Sequence, residues 1–172
     1  MFEELISELK LSAETLISSV SSLNENQLRF KINPVIWSIH ECMEHIVIVE
    51  SGIWRLLNKH GEESVGPVEA FGKENIVATM NDRSTKREAP EKIKPVGRYT
   101  QLREMISDFM STRKEISEGL IKQTIQFDDL LIPHPILGEF TKLDWLNFLI
   151  HHTERHRKQI EDIKSDFNFP LN

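Results

Sequence analysis

Residues 151–156 read His-His-Thr-Glu-Arg-His and hold three of the chain's seven histidines. On a helix, His152 and His156 lie one turn apart on one face, with Cβ atoms roughly 6 Å apart. Two imidazoles at that spacing can grip one divalent ion at about 2.0–2.1 Å from each ring nitrogen. A third histidine, His45, lies in a separate helical segment far upstream. If the fold sets His45 opposite the pair, the chain carries a three-histidine site with open coordination positions. That is the arrangement of a metal that does chemistry, not of a closed structural one.

Each residue also has a blander reading. His152 and His156 share a helical face with Trp145, Phe148, Gln159 and Ile163, so the pair looks inward. Two such histidines can simply be core residues bonded to carbonyls. The pattern lacks the glutamate of the zinc-protease motif His-Glu-x-x-His, because Thr153 follows His152. His45, on a largely apolar face, can be a satisfied core residue. Glu41, one turn before His45, can orient or ligate, but it also occupies the third position of a helix cap. His151 points about 100° away from His152 and reads as flanking. His40, His60 and His134 have no partner spacing and read as surface or loop residues. Cys42 reads as small packing material, and Asp128-Asp129 as a solvated loop. The sequence holds no glycine-rich phosphate loop, serine nucleophile elbow or Cys-x-x-Cys pair.

These residues need helices to carry them. Phe2, Leu5, Ile6, Leu9, Ala13, Leu16, Ile17 and Val20 form one apolar stripe and predict a helix over 2–23. Ser38 and Glu41 have capping-box spacing and open a second helix that runs to about Asn58. Residues 61–95 are punctuated by glycine and proline, with one short helix expected around 73–81. A connection of this length in a compact domain suits a lid or a crossover. A third helix is expected over 99–121, and a fourth from Thr141 to Lys164, capped by Thr141 and Asp144. Helices of this length span about 33 Å and suit a four-helix bundle. No alternating run is long enough to predict a sheet.

Composition bounds the rest. With 172 residues, 39% of them hydrophobic and 28% charged, the chain reads as one soluble domain over 1–172. No apolar run approaches the 18 or more residues of a membrane span, so no membrane partner is expected. The acidic, amphipathic N-terminus does not read as a signal peptide, and none is expected. A single cysteine allows no internal disulfide, and a cytoplasmic location is the default expectation. The net charge of −6 argues against nucleic acid. The densest basic cluster, Arg83 to Arg87, is short and is followed by Glu88.

Two segments resemble a known family. One is Trp37-Ser38-Ile39-His40-Glu41-Cys42-Met43-Glu44-His45-Ile46, with Glu50 after it. The other is His134-Pro135 and Gly138, then Trp145, then His152-Thr153-Glu154-Arg155-His156 with Gln159-Ile160. Ala89-Pro90-Glu91, before the third helix, adds to the likeness. In order and spacing these resemble the DinB-like superfamily, which includes the YfiT-like metalloenzymes. The resemblance implies an all-α, up-up-down-down four-helix bundle. It implies one divalent metal, zinc or nickel, on His45, His152 and His156. It also implies a metal-dependent transferase that adds a low-molecular-weight thiol, such as bacillithiol or mycothiol, to small electrophilic substrates. The alternatives are a metal-dependent hydrolase with the same ligands and a non-enzymatic bundle with a structural or incidental metal. A small-molecule substrate and a homodimer are the partners expected. Arg155, turned about 100° from each ligand, is expected to support structure.

Overall fold

The computed structural model of the chain describes residues 2–84 and 88–171. Lys86 and Arg87 of the basic cluster lie outside the described residues. Four long helices make the bundle: α1 (Phe2–Val20), α3 (Ile39–Leu57), α5 (Leu102–Ile121) and α6 (Lys142–Lys164). Two short ones, α2 (Glu25–Arg29) and α4 (Lys73–Asn81), sit in the connections. The long connection between α3 and α5 also holds a 3-10 turn over Glu91–Ile93.

Local chemistry starts these helices. Ser38 Oγ accepts the Glu41 amide at 3.2 Å, and Glu41 Oε2 accepts the Ser38 amide at 2.7 Å. Thr141 and Asp144 cap α6 in the same reciprocal way. Asp144 also accepts the amides of Ala70, Phe71 and Gly72, so the cap of α6 docks the segment that leads into α4. Asn24 and Gln27 form a third capping box, which starts α2 in the stretch between the helix expected over 2–23 and the one opening at Ser38, where the sequence predicts no helix.

The buried side chains fall into two clusters. One holds Leu5 and Leu9 of α1, Val49 to Leu57 of α3, Ile116 and Leu120 of α5, and Trp145 to Ile150 of α6. The other holds Ala13 to Val20, Ile39 to Val47, Met105 and Phe109, and Ile160 and Ile163. The order of residues through the two clusters gives the helix directions. α1 and α6 run one way, and α3 and α5 run the other. In chain order the bundle is up-down-down-up, which corrects the up-up-down-down order expected from the resemblance. The long connection is the reason. It carries the chain from the end of α3 back along the bundle, so that α5 can run parallel to α3.

A two-stranded antiparallel hairpin precedes α6, β1 (Ile132–His134) with β2 (Gly138–Phe140), where the sequence predicts no sheet. Three-residue strands are too short to give a readable alternation. The hairpin turn is tied by His134 Nδ1, which accepts the amides of Ile136 at 3.2 Å and Leu137 at 3.1 Å. Asp128 is a correction: the sequence reads as a solvated loop there, but the residue is buried. It accepts from Lys142 Nζ at 2.8 Å and from the Gly61 amide at 2.7 Å. Among the described residues no helix is long and apolar enough to cross a membrane.

Candidate metal centre

His45 enters from the second turn of α3, and His152 and His156 from the middle of α6. The antiparallel packing of these helices brings all three rings together. His152 Nε2 lies 3.2 Å from His45 Nε2 and 3.2 Å from His156 Nε2. One ligand atom from each of the three lies within 4.8 Å of the others, close enough to share a metal ion. Two nitrogens bound tetrahedrally to one zinc at about 2.05 Å stand about 3.3 Å apart. The observed separations match that spacing.

The opposite ring nitrogens decide where the protons are. Nδ1 of His45 donates to the Ile93 carbonyl at 2.7 Å, and a carbonyl can only accept. Nδ1 of His156 donates to Gln159 Oε1 at 2.9 Å. A neutral ring with its proton on Nδ1 presents a lone pair at Nε2. Both of these Nε2 atoms therefore aim lone pairs at His152 Nε2. His152 has at most one proton there and can satisfy only one of them. At least one of the two close approaches sets lone pair against lone pair. A cation at the centre removes that conflict, so the donor set fits a divalent ion.

Electrostatics keep the rings neutral. Burial, followed by the neighbouring His156 and His45, holds His152 well below the ordinary histidine value of 6.5. Burial and then His45 lower His156 to about 3. Burial lowers His45, opposed by its bond to Ile93. Aromatic rings wall the cluster. Trp37 packs on His45 at 4.9 Å between centroids and on His156 at 6.4 Å. Phe148 stacks on His152 at 5.0 Å. His152 and His156 each keep 8% of their surface exposed, so the cluster is nearly closed.

The remaining candidates sort as follows. His151 turns away from the cluster and is half-buried. His60 is exposed. His40 is a correction, since it is buried on α3 and not at the surface. Cys42 lies in the core, and burial raises its thiol beyond the useful range. Glu41 keeps its capping role and pairs with Lys31 at 2.8 Å. Arg155 donates to the carbonyls of Met80 at 2.9 Å and Asp82 at 2.6 Å, which ties the end of α4 to α6. The Ile93 carbonyl escapes sequence reasoning altogether, because a backbone acceptor has no residue signature.

A family model described as the DinB superfamily matches residues 8–160. The chain belongs to the DinB superfamily. Among its relatives, the protein named "Uncharacterized protein YuaE" of Bacillus subtilis (strain 168) is 23% identical over 147 residues, covering 86% of this chain and 89% of that one. Among solved structures, the four-helix bundle protein TT2238 superposes with a TM-score of 0.60. That match is 17% identical and covers 94% of this chain and 99% of the other, and it establishes the bundle fold. A DinB-superfamily bundle with three convergent imidazoles is thus the frame within which function is read.

Proposed function

We propose that the protein is a metal-dependent transferase that holds one divalent ion, zinc or nickel, on His45, His152 and His156. On this reading it joins a low-molecular-weight thiol to a small electrophile. The observation that carries the reading is the convergence of three neutral imidazole nitrogens, two of them with their protons held on the far side. Bound there, a divalent ion supplies Lewis acidity that favours the anionic form of a thiol or a water at neutral pH.

Transfer is preferred over hydrolysis because the carboxylates near the ligands are committed elsewhere. Glu41 caps α3, and Glu44 accepts three backbone amides. Glu50 binds Arg113, Glu154 binds Arg157, and Asp162 binds Arg83. Each of these carboxylates already has a partner. A thiol is acidic enough to be activated without one. The Arg83 and Arg155 guanidiniums act on His156 electrostatically, and their positive charge also favours an anionic nucleophile. In the transfer the thiol loses its proton to solvent. The thiolate sulfur forms the new bond to the electrophilic carbon, and the leaving group departs with its bonding pair.

The test is elemental analysis of protein purified without an affinity tag, followed by a conjugation screen with bacillithiol or mycothiol against haloalkyl electrophiles. One equivalent of zinc or nickel is expected, with thiol consumption that stops when the ion is removed. Loss of the electrophile without loss of thiol would move the assignment to a hydrolase. Stoichiometric metal with neither activity would leave a structural ion.

A further inference from the structure

Glu44 stands beside His45 on α3 and is 1% exposed. Its carboxylate reaches across to the long connection. Oε1 accepts the amides of Val96 at 2.9 Å and Arg98 at 3.0 Å, and Oε2 accepts the amide of Gly97 at 3.0 Å. Three successive amides converge on one carboxylate, a turn of backbone that suits an anion. Gly97 has φ of +76°, in the left-handed region that glycine reaches without strain. Residues 96–98 are themselves exposed, so side-chain packing does not hold them down. Charge-assisted bonds to Glu44 do.

Just upstream, the same stretch supplies the Ile93 carbonyl that takes the Nδ1 proton of His45. Two consecutive residues of α3 therefore grip one short segment, Glu44 at 96–98 and His45 at Ile93. We propose that Glu44 is a positioning residue for the metal site: by clasping residues 96–98 it keeps the Ile93 carbonyl on His45 and so aims Nε2 at the ion. The inference rests on the reading that the three histidines hold a metal. It gives the long connection a task at the site beyond crossing the bundle. When the clasp opens, the His45 ring is free to rotate and to move its proton to Nε2, and a ligand is lost.

The experiment compares cobalt(II) affinity and the visible cobalt spectrum in the wild type, Glu44→Gln, Gly97→Ala and Ser38→Ala. Glu44→Gln turns an acceptor oxygen into a donor facing amide N–H groups. Gly97→Ala strains the same loop while leaving the carboxylate in place. Each is expected to weaken cobalt binding about 10-fold or more and to shift the visible bands. Ser38→Ala removes the helix cap of α3 and is expected to leave affinity and spectrum unchanged. If Glu44→Gln does not fold, Gly97→Ala decides on the same criterion. Wild-type affinity in folded loop variants would overturn the inference, and so would an equal loss in Ser38→Ala. A wild-type protein that takes up no cobalt would remove the metal reading and this inference with it.

Discussion

Neighbouring residues of α6 belong to two buried polar groups of opposite character. Thr153 joins a network with Glu50 and Arg113, and His152 joins the imidazole cluster. The network completes itself. Arg113 meets Glu50 through Nε at 2.8 Å and Nη2 at 2.6 Å. Its Nη1 donates to the Leu9 carbonyl and to Ser12 Oγ, each at 3.0 Å. Its Nη2 also reaches Thr153 Oγ1 at 2.8 Å. One guanidinium thus ties all four long helices, at the level where the two apolar clusters meet. The histidine cluster does not complete itself. The outer nitrogens of His45 and His156 are satisfied, and the inner nitrogens of all three rings face each other. A buried polar group that closes its own bonds is architecture, and one left with convergent lone pairs is built to receive something.

That contrast can be broken from either side. The largest effect is expected from Arg113→Met, which leaves Glu50 buried without its partner. It should lower stability by about 3–5 kcal/mol in urea unfolding, while the fraction that stays folded keeps its metal. Next come His152→Ala and His156→Ala. Each should abolish stoichiometric metal by elemental analysis, because two imidazoles rarely hold a divalent ion tightly. Neither should cost the metal-free protein as much as Arg113→Met, since each removes a lone-pair conflict. His151→Ala should keep the metal.

A third test uses protons. The cluster's rings titrate below their unfolded value of 6.5, His156 down to about 3. Between those values the unfolded chain binds more protons than the folded one. The stabilising contribution is therefore present above pH 6.5 and is lost as pH falls toward 3. Glu50, which burial pushes up, has the opposite sign, so the slope is best read as a difference between proteins. Metal-free wild type should lose stability more steeply than metal-free His156→Ala over that range, by urea midpoints measured at successive pH values. Equal slopes would mean that the cluster opens before it protonates. The smallest effect is expected from Thr153→Val, which removes a hydroxyl shared with Arg113 and Glu50. A loss of about 1 kcal/mol with unchanged metal affinity would show that the two groups, though adjacent, are energetically separate.

Much of this was legible from residue patterns. Apolar stripes and the caps at Ser38 and Thr141 mark α1, α3 and α6 closely, and α4 lies at 73–81 as expected. The spacing of His152 and His156 nominates the pair because helical phase is a local property. The parts that were not legible depend on distant partners. Arg113 sits in the polar run Ser-Thr-Arg-Lys-Glu, which carries no sign of the Glu50 that comes from another helix to meet it. Asp128 reads as loop until Lys142 folds over it. His40 looks like a surface residue because the packing that buries it is set by other elements. Helix direction depends on the path of the long connection, which carries little periodicity of its own.

The up-down-down-up order also sets a timetable. His45 is separated from His152 by 107 positions, and Ile93 comes between them in the chain. During synthesis, which runs from the N-terminus, α1 to α5 are all made before the paired ligands exist. Until translation passes residue 152 the nascent protein has one of the three cluster imidazoles, and until it passes residue 156 the set is incomplete. On the reading proposed above, metal capture is a late event in the life of each molecule, and a chain interrupted before α6 should hold no ion at this site.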